Sequence, residues 1–257
     1  VLRTGQRLGA ADVGMLAAVG RDRVLVHPKP RVAVISTGDE LVEPGVVPGP
    51  GQIRDANSYT LTAMAREAGA TAFRSDIVRD DRRALAEAFE GAMAHADLLV
   101  TSGGVSAGRY DLVKQVLEQL GDVSFRKVGM QPGMPQSFGR IGRVPCFGLP
   151  GNPVSAFVSF EVFVRPAIRR LQGRTDLNRP RVNAIVDEPL HSPPHRVSFI
   201  RVTLRRSSGV WHVLPTGPQG SGILRSAVEA DGLAEVPADR TDVPVGEAVV
   251  VHLLVAP

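Results

Sequence analysis

The stretch that decides the fold is residues 32–36, Val-Ala-Val-Ile-Ser, followed at residues 37–41 by Thr-Gly-Asp-Glu-Leu. The first part is an unbroken apolar run, which predicts a strand buried on both faces. The second part offers a hydroxyl, a glycine and two adjacent carboxylates, as expected of a turn at the end of a strand. A buried strand that leads into a polar turn is typical of a parallel sheet covered by helices.

The same pattern recurs through residues 31–173. Strands are predicted near 71–78, 97–101, 123–128 and 144–149, and helices near 57–68, 80–95, 111–120 and 153–171. Asn57 is expected to cap the first of these helices, and Asp80 and Asp81 to open the second. Strands separated by helices of this length predict an α/β domain with a doubly wound, mostly parallel sheet.

The two ends of the chain read differently from this domain. Residues 1–30 are predicted to be the tail of a preceding region, with a short helix near 10–20 and a strand at 24–27. In residues 178–257 the helical patterns nearly vanish, and β-like runs occur near 181–186, 197–205, 210–214 and 248–255. This part is predicted to be a small all-β domain, either a barrel or a sandwich.

Composition limits the classes of function. The chain has 257 residues, a net charge of +4 and only 5% aromatic residues. Its arginines are scattered among acids, which disfavours nucleic-acid binding, and no apolar run reaches the roughly 18 residues of a membrane span. The one cysteine, Cys146, lies in an apolar run. We expect a packed core thiol and a cytoplasmic protein.

Three polar turns are predicted to meet at one edge of the sheet, outside the carboxyl ends of the strands. They are residues 36–41, the glycine-rich residues 101–108, and residues 148–155, which lead into a helix. Backbone N–H groups in such turns can bind phosphate. Carboxylates beside them, Glu40 and Asp111, suit a magnesium-bound phosphate ester or anhydride. Taken singly, each turn could instead be an ordinary tight turn, and each acid a helix cap or a solvated loop residue.

Several segments together resemble one family in both order and spacing. They are residues 36–41, residues 51–57 (Gly-Gln-Ile-Arg-Asp-Ala-Asn), residues 79–81 (Arg-Asp-Asp), residues 102–111 (Ser-Gly-Gly-Val-Ser-Ala-Gly-Arg-Tyr-Asp), residues 149–155 (Leu-Pro-Gly-Asn-Pro-Val-Ser) and residues 216–221 (Thr-Gly-Pro-Gln-Gly-Ser). The family is that of the molybdopterin molybdenumtransferases, also called the MoeA or gephyrin E-domain family.

The resemblance implies a transferase of molybdenum cofactor biosynthesis. Its substrates would be adenylylated molybdopterin and molybdate, and AMP would be released with the help of Mg²⁺. By the same resemblance Glu40, Asp80 and Asp111 would be catalytic, and Glu40 and Asp111 would hold the magnesium. Arg201 and Ser221 would bind molybdate. The residues expected to contact the substrate are Ser36, Thr37, Gly38, Asp39, Ser102, Gly103, Gly104, Ser106, Gly133, Pro135, Pro150, Gly151, Asn152 and Ser155.

Two departures from the family bear on these expectations. Gln131 and Met134 stand where the family carries lysines beside the molybdate, although Arg126, Lys127 and Arg201 are cations that could compensate. Full-length relatives also begin with further modules, one of which reaches the partner's site in a homodimer. We therefore expect this chain to be a portion of a homodimeric protein. The alternatives are a gephyrin-like scaffold that binds a protein partner and a generic nucleotide-binding domain.

Overall fold

The chain, described as a computed structural model over residues 2–104 and 112–255, alternates strand and helix in its first part and is mainly β in its second. The helices are α1 (Ala10–Ala18), α2 (Asn57–Glu67), α3 (Arg82–Met93), α4 (Leu112–Leu120), α5 (Pro153–Ser159), α6 (Arg165–Leu171) and α7 (Arg225–Val228), with a π-helical turn (Phe160–Val164) between α5 and α6. The strands are β1 (Arg31–Ser36), β2 (Leu41–Val42), β3 (Ile53–Arg54), β4 (Thr71–Arg74), β5 (Leu98–Ser102), β6 (Gly121–Lys127), β7 (Met130–Gln131), β8 (Pro135–Ile141), β9 (Val144–Leu149), β10 (Arg181–Val186), β11 (Leu190–His191), β12 (Val197–Ser207), β13 (Val210–Pro215), β14 (Gly232–Val236), β15 (Asp242–Val243) and β16 (Ala248–Leu253).

The first sheet has the strand order β4-β1-β5-β9-β8-β6. Its first four strands are mutually parallel, whereas β8 runs antiparallel to both β9 and β6. Alternate residues of β1 enter different cores: Val32 and Val34 pack with α2, α5 and α6, and Ala33 and Ile35 pack with α3 and α4. Helices therefore cover both faces, and the predicted doubly wound, mostly parallel α/β sheet is confirmed.

The second domain is a closed barrel. Its strands follow the order β13-β10-β16-β14-β12, and β12 also pairs with β13, which closes the ring. The prediction of a barrel-like all-β domain is confirmed, and the sandwich alternative is not what forms. The short β7 runs parallel to β12, so a segment of the first domain extends the sheet of the second.

Two local predictions were wrong. No strand forms at residues 24–27 in the described chain, where Leu25 is fully exposed; an extended segment becomes a strand only when a neighbour pairs with it. Asn57 does not cap α2, because the carboxylate of Asp55 accepts the Ser58 N–H at 3.0 Å.

Other local predictions are confirmed. Asp81 caps α3 by accepting the Ala84 N–H at 2.8 Å. Cys146 is a fully buried free thiol in the core beneath α3 and α4. Within residues 2–104 and 112–255, every helix falls short of the length and apolar character that crossing a bilayer requires.

Candidate functional site

A cleft of about 730 Å³ lies at the carboxyl ends of β1, β5 and β9. Parallel neighbours bring these three strand ends to the same edge of the sheet. The residues that line the cleft are Ser36, Thr37, Glu40, Leu41, Ile53, Arg54, Asp55, Ala56, Asn57, Ser102, Gly103, Gly104, Lys127, Met134, Pro135, Pro150, Gly151, Asn152 and Pro153. Ten of the residues expected from the sequence are in this set: Ser36, Thr37, Glu40, Ser102, Gly103, Gly104, Pro135, Pro150, Gly151 and Asn152.

The first turn folds Glu40 back over the backbone. Gly38 has a φ of +145°, a conformation that residues with a side chain rarely adopt, and the Glu40 carboxylate lies where a Cβ would stand. Among the described residues, the Glu40 carboxylate has no hydrogen-bond or ion-pair partner. It is therefore a free anionic ligand at the cleft.

Asp39 and Asp80 were also predicted as site residues, but their side chains lie outside the cleft lining. Asp39 Oδ1 accepts the Asp80 backbone N–H at 3.3 Å, and neither side chain lines the cleft. Asp80 stands just before the cap of α3, and this position leaves it behind Asp39. The described residues thus bring Glu40, but not Asp80, to the cleft wall. Asp111 and Ser106 lie outside the described residues.

The start of the second turn is held by close contacts of its two glycines. Gly103 and Gly104 have φ values of +94° and +66°, and a Cβ on Gly104 would overlap Val113 at the start of α4. The Gly103 N–H donates to the Leu149 carbonyl at 3.1 Å. That N–H is therefore used within the fold, so phosphate donors in this turn would have to come from its other residues, of which 105–108 lie outside the described residues.

Asn57 links the second turn to the third. Its Nδ2 donates to Ser102 Oγ and to the Gly151 carbonyl, each at 2.7 Å. The sequence placed Asn57 in a motif but assigned it only a capping role. Asp55 was also missed: it is 2% exposed, and its Oδ2 is buried without a hydrogen-bond partner among the described residues. No periodicity distinguishes such residues, because their role depends on contacts between distant segments.

The third turn joins the α/β domain to the barrel. Asn152 Nδ2 donates to Ser221 Oγ at 3.0 Å, and the Val154 N–H donates to the Ser221 carbonyl at 3.0 Å. Ser155 is buried in the first turn of α5. Ser221 and Ser155 border the turn without lining the cleft itself.

The loop at 131–135 presents no charge to the cleft. Gln131 belongs to β7, and its Oε1 accepts a hydrogen bond from Arg196 at 3.3 Å, away from the cleft lining. Met134 and Pro135 do line the cleft. Gly133 has a φ of +102°, and its carbonyl accepts the Gln136 side-chain amide at 2.6 Å, which holds the loop from behind.

Arg201 is a buried cation without an acidic partner among the described residues. It is 1% exposed, and its guanidinium donates to Ser226 Oγ at 3.2 Å and to the Gly220 carbonyl at 3.4 Å. Burial lowers the pKa of Arg201 to about 10, so the group is still charged at neutral pH. It reaches Gly220, the residue next to Ser221, but does not line the cleft.

No cluster of three or more His, Cys, Asp or Glu side chains forms a metal site among the residues that the structure describes. Of the two carboxylates in the described lining, Glu40 and Asp55, that of Glu40 has no hydrogen-bond partner, and that of Asp55 accepts the Ser58 N–H. One hard oxygen ligand suits Mg²⁺, which keeps most of its waters and binds proteins through one or two carboxylates.

Two family models match this chain, one in each of its two parts. Residues 33–170 match the family model described as "Probable molybdopterin binding domain", and residues 183–254 match "MoeA C-terminal region (domain IV)". The first match covers the parallel sheet and its helices, and the second covers the barrel. The chain belongs to the MoeA family.

Relatives extend over nearly the whole chain. Two proteins of Mycobacterium tuberculosis, named molybdopterin molybdenumtransferase 2 and 1, are each 43% identical to it over 96% and 98% of its length. The chain spans 62% and 61% of their own lengths. A crystal structure of the molybdopterin biosynthesis MoeA protein of Pyrococcus horikoshii has a TM-score of 0.82 at 35% identity, covering 99% of this chain and 62% of that one.

Proposed function

We propose that the protein acts in molybdenum cofactor biosynthesis as a molybdopterin molybdenumtransferase, which inserts molybdate into adenylylated molybdopterin with magnesium-dependent release of AMP. The observation that carries this proposal is the cleft, where polar turns from β1, β5 and β9 meet in a chain whose relatives bear that enzyme's name. Its volume of about 730 Å³ is in the range of small-molecule sites. No observation among the described residues favours the scaffold alternative.

The cleft residues suggest how the substrate would be held. The hydroxyls of Ser36, Thr37 and Ser102 line one wall and can donate to phosphate oxygens. Pro150, Gly151 and Asn152 line the other wall and would contact the pterin. Binding both ends of the substrate would fix the phosphoanhydride between the walls, and such positioning lowers the barrier to its cleavage.

Glu40 would hold the magnesium, with Asp111 as its second protein ligand. The Glu40 carboxylate has no competing partner among the described residues, which supports this role. When bound, the ion would neutralise charge on the phosphoanhydride oxygens. Asp80 would act from the next layer, through the contact of its backbone with Asp39.

Arg201 and Ser221 would bind molybdate at the border between the two domains. A buried cation without a counter-ion is costly, and an incoming oxyanion would supply the missing charge. A fixed cation also stabilises charge that shifts during attack. Since Gln131 and Met134 are uncharged, Arg201 would carry more of this task than in family members with lysines there.

The test is molybdate-dependent AMP release by the native protein. Adenylylated molybdopterin, MgCl₂ and sodium molybdate are supplied, and AMP is quantified by chromatography. We expect AMP release to rise with molybdate concentration and to stop when magnesium is chelated. If the amount of AMP released does not depend on the molybdate concentration, the proposal is overturned. We also propose that the protein is a homodimer and is located in the cytoplasm. Sedimentation velocity of the native protein would test the first statement, and cell fractionation the second.

A further inference from the structure

The strand β6 lies at one edge of the first sheet, and among the described residues only β8 pairs with it. Its outer side therefore presents backbone N–H and C=O groups to which a further strand can bind. The strand is seven residues long, contains no proline, and pairs with β8 without a bulge. A regular edge of this kind can accept another strand along its whole length.

The sequence of β6 is self-complementary about its middle residue, Ser124. Asp122 and Arg126 lie two positions before and after it, and Val123 and Phe125 lie one position before and after it. If two β6 strands pair antiparallel with their Ser124 residues opposite each other, Asp122 of each copy stands opposite Arg126 of the other. Val123 then stands opposite Phe125. The ladder gains two opposite-charge pairs and two apolar pairs, which are stabilising cross-strand combinations.

Other registers of the same two strands lack this match. A slip of two residues in one direction places Arg126 opposite Ser124 and Lys127 opposite Val123. A slip of two residues in the other direction places Asp122 opposite Ser124. Both slips remove the opposite-charge pairs, so the charges select the register that is centred on Ser124.

The two charged side chains are available for such pairing. Asp122 and Arg126 are exposed, and within the described part of the chain neither has an ion-pair or hydrogen-bond partner for its side chain. Val123 and Phe125 alternate with them and pack into the core beneath α3 and α4. Asp122, Ser124 and Arg126 therefore share the opposite, solvent-exposed face of the strand.

An open groove runs along this exposed face of β6 and β8. It has a volume of about 470 Å³, and its lining includes Asp122, Ser124 and Phe138. Phe138 stands beside Ser124 in the β6–β8 ladder and is 55% exposed. A second copy paired about Ser124 would place its own groove next to this one and flank the contact with a Phe138 on each side.

The opposite edge of the sheet, β4, is built differently. It has four residues, and its one charged side chain, Arg74, forms an ion pair with Glu43 at 2.8 Å and lies over the Tyr59 ring. A self-paired β4 has no acid to place opposite this arginine. Self-complementarity thus distinguishes β6 from the other free edge.

We infer that two copies of this protein associate through β6, which pairs antiparallel with β6 of the second copy about Ser124 and joins the two sheets into one. The inference gives a surface to the proposed homodimer and rests on that part of the proposed function, not on the reaction. Because β6 ends at Lys127 on the cleft wall, the second copy would lie beside each cleft.

Site-specific cross-linking of the native protein tests the pairing. Opposed Cβ atoms in an antiparallel ladder are about 4.5–5.5 Å apart, within reach of a short bismaleimide. Ser124→Cys is therefore expected to give covalent dimers on a denaturing gel. Thr71→Cys, at an exposed position of β4 on the opposite edge, is the matched control and should not. Treated wild type gives the background, since its one thiol, Cys146, is fully buried.

Charge reversal tests the register. Asp122→Arg and Arg126→Asp each place like charges opposite each other when the variant pairs with itself. The dissociation constant of each dimer, measured by sedimentation velocity, is expected to rise about tenfold or more. An equimolar mixture of the two variants places arginine opposite aspartate again, so association should return to the wild-type strength. Circular dichroism establishes that each variant is folded.

Two results would overturn the inference. One is that Ser124→Cys gives no more covalent dimer than Thr71→Cys, and the other is that both charge reversals associate as tightly as wild type. In either case a dimer of the wild-type protein would have to form through another surface, and the proposed homodimer would stand. A wild-type protein that is monomeric at every concentration would overturn the inference and the homodimer together, while molybdate-dependent AMP release would still be decided by its own assay.

Discussion

The side-chain amide of Asn57 donates to Ser102 Oγ at 2.7 Å, and the same nitrogen reaches the Gly151 carbonyl at 2.7 Å. One side chain at the start of α2 thus ties together the ends of β5 and β9. Each of these strand ends leads into a turn of the cleft wall. Together with the Gly103 N–H that donates to the Leu149 carbonyl, this amide holds the two turns at a fixed separation.

Asn57→Asp is expected to loosen the cleft. A carboxylate cannot donate, so the new side chain loses the hydrogen bond to the Gly151 carbonyl and is repelled by that oxygen, while the Ser102 hydroxyl can still donate to it. We expect the free energy of unfolding to fall by about 1–3 kcal/mol, and the affinity for AMP to fall more steeply, since the walls no longer hold one geometry. Denaturant unfolding and titration calorimetry measure the two effects.

The control for added charge is Asn183→Asp, which lies on an exposed position of β10 in the barrel. It should change neither quantity. An Asn57→Asp protein that binds AMP with wild-type affinity would show that the turns are positioned without this amide.

The parallel sheet was predictable because its strands are buried on both faces. Continuous burial produces unbroken apolar runs such as residues 32–35 and 98–100, which stand out in the sequence. The strand β8 was missed for the opposite reason. Its residues, Pro135–Ile141, mix polar, glycine and apolar side chains, and its order comes from antiparallel pairing with β6 and β9.

The position of the candidate site at one edge of the sheet could be predicted from the sequence, but the hydrogen bonds within it could not. Strand-end turns meet at one edge by topology, so residues such as Ser36, Ser102 and Gly151 could be expected near one another. Which backbone N–H groups remain free to bind a ligand could not be predicted from the sequence. The Gly103 N–H is occupied by Leu149, a partner 46 positions further along the chain, and only the folded structure reveals such a pairing.

Glu40→Gln is expected to abolish magnesium-dependent AMP release while leaving the fold intact. The carboxylate has no structural partner among the described residues, so replacing it removes charge without breaking a contact. The loss should appear as AMP release that no longer responds to added MgCl₂. Glu87→Gln, on the exposed face of α3, is the control and should behave as wild type.

The variant Asp80→Asn tests whether Asp80 is a catalytic residue. An activity equal to wild type would remove Asp80 from the catalytic set, in agreement with its position behind Asp39. Full activity in Glu40→Gln would remove Glu40 as well, and with it the magnesium site proposed at this turn.

Cys146 should be unreactive in the folded protein and should make stability depend on alkaline pH. Burial raises the pKa of this thiol to about 12, while the unfolded chain ionises nearer 9. The folded state therefore keeps a proton that the unfolded state loses. Stability conferred by the neutral thiol is complete below pH 9 and declines by about 1.4 kcal/mol per pH unit as the pH rises towards 12.

Thiol titration with a disulfide reagent at pH 8 checks the first part: no reaction is expected without denaturant, and one equivalent with it. Unfolding of wild type and Cys146→Ala between pH 8 and 11 checks the second. The difference between their free energies of unfolding should shrink with rising pH. Rapid labelling of the native thiol would contradict the burial on which both expectations depend.

Arg201→Met is expected to separate stability from ligand binding. The guanidinium is 1% exposed, and burial lowers its pKa to about 10, so the energetic cost of the buried charge is present throughout the range below that pH. Methionine removes this cost and loses only the bonds to Ser226 and Gly220. The melting temperature of the ligand-free protein should therefore not fall, because replacing a buried charge by an apolar side chain is often neutral or stabilising.

The wild-type protein should melt at a higher temperature when molybdate is added, since a ligand that binds only the native state stabilises it. That increase should vanish in Arg201→Met and persist in Arg143→Met, an exposed arginine in the turn between β8 and β9. If Arg201→Met were stabilised by molybdate as strongly as wild type, the oxyanion would have to be held elsewhere, and the buried charge of Arg201 would need a different explanation.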